Sequence, residues 1–162
     1  MTADAAPPGP EQRSRGLRLR AADAEDLAVI SACLQDALVS VCDLAYDPAA
    51  RTFVLVANRF RWEAAGADAG EGPSFERILC GVAFDAVDGV VYRGFYRSEE
   101  DRILSLLAIQ AASCPPGATV ELDFAGGAAI RLAVAAISAR VRDFGEAWPT
   151  AWRPGHQLDD PR

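Results

Sequence analysis

Side chains able to do chemistry are densest in the hexapeptide N-R-F-R-W-E, residues 58–63. Arg59 and Arg61 lie two apart, so on an extended chain both guanidiniums leave the same side. Two such forks can hold a carboxylate or a phosphate through paired N–H donors. With Trp62 beside them they form the candidate binding cluster of the sequence. The competing reading is internal neutralisation, with Glu63 and Glu76 as the expected acids. Arg61, nearer the strand end, is expected to serve a ligand or partner, and Arg59, nearer the core, a structural acid.

Other constellations are weaker. Asp23, Glu25, Asp26 and Asp36 resemble a metal cluster, but the first three read as the start of a helix, where acids oppose the positive dipole end. Asp36 lies about three turns further on and cannot join them. Arg93-Gly94-Phe95-Tyr96-Arg97 echoes half of an RNA-recognition signature, in which sheet aromatics stack bases. His156, the only histidine, sits among prolines with nothing to orient it as a base. There is no G-x-S-x-G elbow and no phosphate-cradling glycine loop. Cys33, Cys42, Cys80 and Cys114 have no C-x-x-C spacing. They read as four buried free thiols of a reducing cytoplasm. No catalytic residue, metal site or cofactor is expected.

The arginines need a strand to carry them. In residues 51–63 (RTFVLVANRFRWE), Phe53, Leu55, Ala57, Arg59 and Arg61 alternate with Thr52, Val54, Val56, Asn58, Phe60 and Trp62. Both sides begin apolar, as in a central strand. Before it, Leu17 to Arg20 (LRLR) predicts a short edge strand. Leu27, Ile30, Leu34, Leu38 and Val41 then predict an amphipathic helix over 23–40. Strands are expected at 42–46, 74–84, 90–97, 119–124 and 129–133, while the apolar run 102–111 fits a buried strand or a short helix, the strand being preferred because strands flank it. Turns are expected at Asp47-Pro48, Asp88-Gly89 and 125–128, and Arg131 is expected opposite Glu121 or Asp123. Residues 64–73 read as a flexible loop. A last helix from about Val134 is predicted from Ile137, Val141, Phe144 and Trp148.

These elements predict an α+β domain. It is an antiparallel meander of about seven strands with an N-terminal and a C-terminal helix packed on it, a pleckstrin-homology-like arrangement in its closest form. Residues 17–148 form the domain, and 1–16 and 149–162 read as flexible tails. That is long enough to bury a core without disulfides or metals. All 16 basic residues are arginine, and the net charge is −7. That charge repels nucleic acid while allowing a local basic patch. No stretch reads as a membrane span or signal-peptide core, so a cytoplasmic protein is expected.

Four blocks together resemble one family: EDLAVISACLQDA (25–37), DLAYDP (43–48), NRFRWE (58–63) and FAGGAAIRL (124–132). They are similar to a bacterial, chiefly proteobacterial, domain-of-unknown-function family, number 2948, from about Leu17 to His156. The resemblance implies no activity, cofactor or catalytic residue. Cys33 stands where the family pattern often has His, which argues against an essential imidazole on that helix. The expected function is therefore a non-catalytic binding or scaffold module for a protein or small anionic ligand. A small enzyme with a dispersed site is the alternative, and an RNA-binding domain ranks third.

Overall fold

A computed structural model describes residues 16–63 and 75–150. Expectations for the N-terminal tail up to residue 15, for the loop at 64–73 with Ser74, and for the C-terminal tail from residue 151, Trp152 and His156 included, lie outside the described residues. The elements run β1 (Arg18–Ala21), α1 (Ala24–Cys33), β2 (Leu38–Asp47), β3 (Thr52–Phe60), β4 (Phe75–Phe84), β5 (Val87–Arg93), β6 (Ile103–Cys114), β7 (Gly117–Phe124), β8 (Ala129–Val134) and β9 (Ala139–Thr150). All nine strands join one antiparallel sheet in the order β1-β9-β4-β3-β2-β6-β7-β8-β5.

The sheet is open but strongly curled, and the chain itself requires this. β4 and β5 lie six positions apart in the sheet. Laid flat, that separation is about 29 Å at the usual strand spacing. Yet only Asp85 and Ala86 connect them, and three Cα steps reach about 11 Å at most. The far edge must therefore fold back on the β2–β3 turn. There the Val87 N–H donates to the Arg51 carbonyl (2.8 Å), Tyr46 Oη donates to the Val87 carbonyl (2.9 Å), and Arg51 pairs with Asp88. The concave side holds the core, with Phe53, Leu55, Phe84, Leu104, Leu106, Leu122, Ile130 and Leu132 all buried.

α1 begins with a reciprocal cap. Asp23 accepts from the Asp26 N–H (2.8 Å), while Asp26 accepts from the Ala22 N–H (3.0 Å), so two otherwise orphaned donors are satisfied. Leu27, Ile30 and Leu34 seal the core. The Ser31 hydroxyl takes the Ile109 N–H of β6 (2.9 Å). The helix is shorter than predicted. Asp36 adopts a left-handed conformation (φ 63), its N–H goes to the Leu106 carbonyl, and the chain enters β2. Leu38 and Val41 thus belong to a strand, in keeping with the β-branched Val39 and Val41.

The predicted C-terminal helix is corrected to a strand, leaving one α-helix and nine strands among the described residues where two helices and about seven strands were expected. Residues 139–144 alternate as well as they spiral: Ala139, Val141 and Asp143 are buried, while Arg140, Arg142 and Phe144 are exposed. Pairing with both β1 and β4 decides for the strand. Gly145 has φ 73. Pro149 lies beyond the β1 pairing, where one edge of β9 is open and a missing N–H costs little. The Asp88-Gly89 turn is also corrected: the chain reverses at Asp85-Ala86, with Ala86 at φ 55, and Gly89 marks a register shift inside β5. Arg131 does bind Glu121 across the β7–β8 pair (3.0 Å). Among the described residues no helix is long and apolar enough to cross a membrane.

Candidate functional site

Arg59 follows Phe53, Leu55 and Ala57 on the concave side of β3, and its side chain is fully buried. Its Nε and Nη2 grip Asp143 of β9 at 2.8 and 2.6 Å. Its Nη1 and Nη2 grip Glu63 at 3.0 and 2.6 Å. Burial alone would drive off its proton, but the bonds to Asp143 and Glu63 outweigh that and raise its pKa above the ordinary arginine range. Asp143 is itself buried and also accepts the Leu17 N–H (2.7 Å). The pair therefore ties β3, β9 and the start of β1 together.

Arg61 extends the chain of charges. Its Nη1 meets Glu76 at 2.5 Å, and its Nε lies 3.7 Å from Glu63. Trp62 packs edge-on against Phe60 (4.6 Å between ring centroids), and its Nε1 donates to the Gln35 carbonyl (3.3 Å). The three residues singled out by sequence are thus adjacent, and both cations are engaged by acids of the same molecule. Arg59 has no exposed surface with which to touch a ligand. Glu63 and Glu76 were the legible partners. Asp143, the buried one, was hidden by reading 139–148 as a helix.

Two thiols border this network. Burial, and then the Asp143 charge, push Cys80 up to about 12. Cys33 is also raised, chiefly by burial. Both are poor nucleophiles at neutral pH. All four cysteines are free, but the expectation that all are buried holds for Cys80 alone: Cys33 is half-buried, and Cys42 and Cys114 are exposed. In the segment that echoed an RNA signature, Phe95 is buried and packs on Tyr92. Arg97 bonds Tyr92 Oη and the Leu44 carbonyl. Phe95 therefore presents no face to a base, while Tyr96 of the same segment is exposed.

A second cluster lies on the convex face, where sequence reading had not looked. In the β1–β9 ladder, Arg18 is opposite Arg142 and Arg20 opposite Arg140. Side chains two apart share a face, so four guanidiniums leave one side of two strands. All four residues are exposed. A cleft of about 450 Å³ is lined by them together with Leu19 and Val141. Arg140 pairs with Asp85 (3.2 Å). Among the described residues, no carboxylate lies within 4.0 Å of Arg18, Arg20 or Arg142. The signal was present as L-R-L-R and A-R-V-R-D-F, two matching alternations, but it emerges only when both are strands.

Fold and sites together define an α+β protein built on a single open antiparallel sheet. The chain belongs to the family described as "Protein of unknown function (DUF2948)", whose model matches residues 17–156. No curated protein and no solved structure matches it.

Proposed function

We propose that this chain is a non-catalytic binding module of the bacterial cytoplasm, and that its recognition surface is the arginine ribbon of β1 and β9, made for a compact, multiply charged anion. The observation that carries this reading is the register Arg18 with Arg142 and Arg20 with Arg140, with Asp85 the one acid paired to the four among the described residues. Like charges directly opposite in a ladder destabilise it, so their presence calls for a compensating role. Charges on an edge strand keep it from pairing with other chains, which accounts for Arg18 and Arg20. It does not account for Arg140 and Arg142, whose strand is paired on both sides at those positions.

The four Cα positions define a lattice of about 5 by 7 Å. Several oxygens are needed to satisfy guanidinium forks so spaced, as a diphosphate supplies them. The overall charge of −7 disfavours long polyanions. The free thiols support the cytoplasmic part of the reading.

Calorimetric titration with inorganic pyrophosphate at low ionic strength tests it. Wild type is expected to bind, and R18Q/R142Q to bind at least tenfold more weakly while melting at an equal or higher temperature. No binding by the wild type at millimolar pyrophosphate overturns the reading.

A further inference from the structure

Arg142 has an unusual neighbour. Inward across the sheet it pairs with Gly81 of β4, which pairs in turn with Val56 of β3. A glycine weakens a strand interior, and its common reasons are a bulge, a positive φ, a tight bend of a curled sheet, or close approach of a ligand or another backbone. The β4–β9 register shift lies elsewhere, between Arg77 and Leu79. Gly81 is not among the residues with positive φ. Among the described residues, a Cβ built on it would meet nothing within 4 Å. A bulge and a left-handed backbone are thus excluded at Gly81, which leaves a bend of the curled sheet or the close approach of another molecule.

Beside this gap the convex face is apolar. Leu79 and Phe144 are cross-strand partners, 36% and 44% exposed. Phe144 is two residues from Arg142 on the same face of β9, about 7 Å along the strand. An apolar shelf with an aromatic ring thus adjoins a notch that no described residue fills, and then guanidiniums that no described carboxylate pairs. The shape suits a molecule with a flat apolar ring at one end and several negative charges at the other, joined by a spacer of one sugar.

Resting on the anion reading above, we propose that the ligand is a free nucleoside diphosphate or triphosphate. Its base lies on Phe144 and Leu79, its sugar crosses Gly81, and its phosphates meet Arg142 and Arg18. Base–aromatic stacking tolerates every base, and the shelf is apolar, so selectivity among bases is expected to be low. The negative net charge favours a free nucleotide over a strand of RNA.

The test compares ADP with inorganic pyrophosphate on wild type, F144A and G81V, with circular dichroism and melting temperature as controls for folding. Phe144 is partly exposed and Gly81 faces open space, so both variants should fold, and valine suits a strand. ADP is expected to bind wild type about tenfold or more tighter than pyrophosphate, an advantage of the size that stacking of one base provides. F144A and G81V should each erase that advantage and leave pyrophosphate binding unchanged. Equal affinities for the two probes, or ADP binding indifferent to both variants, would overturn the nucleotide proposal while the anion reading stands. If neither probe binds, both fall. A hexaribonucleotide that outcompetes ADP at equal phosphate concentration would overturn the proposal in favour of RNA.

Discussion

Arg59 shows what one cation does when it is placed at the end of an apolar row. Its strand position puts it in the core, and the core accepts it because Asp143 and Glu63 occupy its N–H donors. Removing one member of a buried pair leaves an uncompensated charge, at a cost of about 3–5 kcal/mol. Arg59→Met is expected to destabilise by that order in urea unfolding, and a loss below 1 kcal/mol would mean that Asp143 is hydrated. Glu63 behaves differently. Burial raises its pKa, but the Arg59 hydrogen bonds and the charges of Arg59 and Arg61 prevail, and its net position is below the ordinary 4.5. A carboxylate depressed in the folded state stabilises above its unfolded pKa, and that contribution fades as pH falls through the folded one. The difference in stability between wild type and Glu63→Gln should therefore be constant from pH 7 to about 5, and shrink on further acidification. A difference that does not change between pH 5 and 3 would refute the linkage.

Elements were legible where one period dominated and a local signal ended it. The cap at Asp23, the β7–β8 pair with Arg131 on Glu121, and the alternation of β3 could be read directly, since each rests on neighbours in sequence. The end of α1 and the nature of β9 could not. Leu38 and Val41 continue the helical stripe, and Val141 fits a strand with Ala139 as well as it fits a helix with Phe144. What decides is a distant partner, β6 for the first and β1 with β4 for the second. The same misreading concealed Asp143 and the arginine ribbon, since both require 139–144 to be extended. The stripe that did form is a firm basis for prediction. Leu34 closes α1 and is 1% exposed, so Leu34→Ala should cost about 2–5 kcal/mol. A change under half a kcal/mol in chemical unfolding would mean that the helix does not seal the core.

At the scale of the molecule, charge is sorted by face. The chain carries −7 in total, yet the convex side of β1 and β9 gathers four arginines with Asp85 as the acid paired to them. Their mutual repulsion is a cost that the fold carries whenever the cleft is empty, and it should be visible without any ligand. Exposed charges act over the Debye length, about 30 Å at 0.01 M salt and about 8 Å at 0.15 M. Guanidiniums on neighbouring strands stay within reach of one another even at the higher salt, but more weakly. Raising sodium chloride over that range should stabilise the wild type. The net charge contributes to the same trend, so the trend alone does not identify the ribbon. Arg142→Gln separates the two contributions: it removes a cation from a protein already negative, which increases the global repulsion and decreases the local one. If the ribbon dominates, this variant is more stable than wild type at 0.01 M salt by some tenths of a kcal/mol, the range for an opposed pair in a ladder. Its advantage then narrows as salt is added. If global charge dominates, the variant is less stable at low salt and gains more from added salt than the wild type does. The second pattern, measured by urea unfolding at the two salt concentrations, would remove the repulsion on which the anion-binding reading depends.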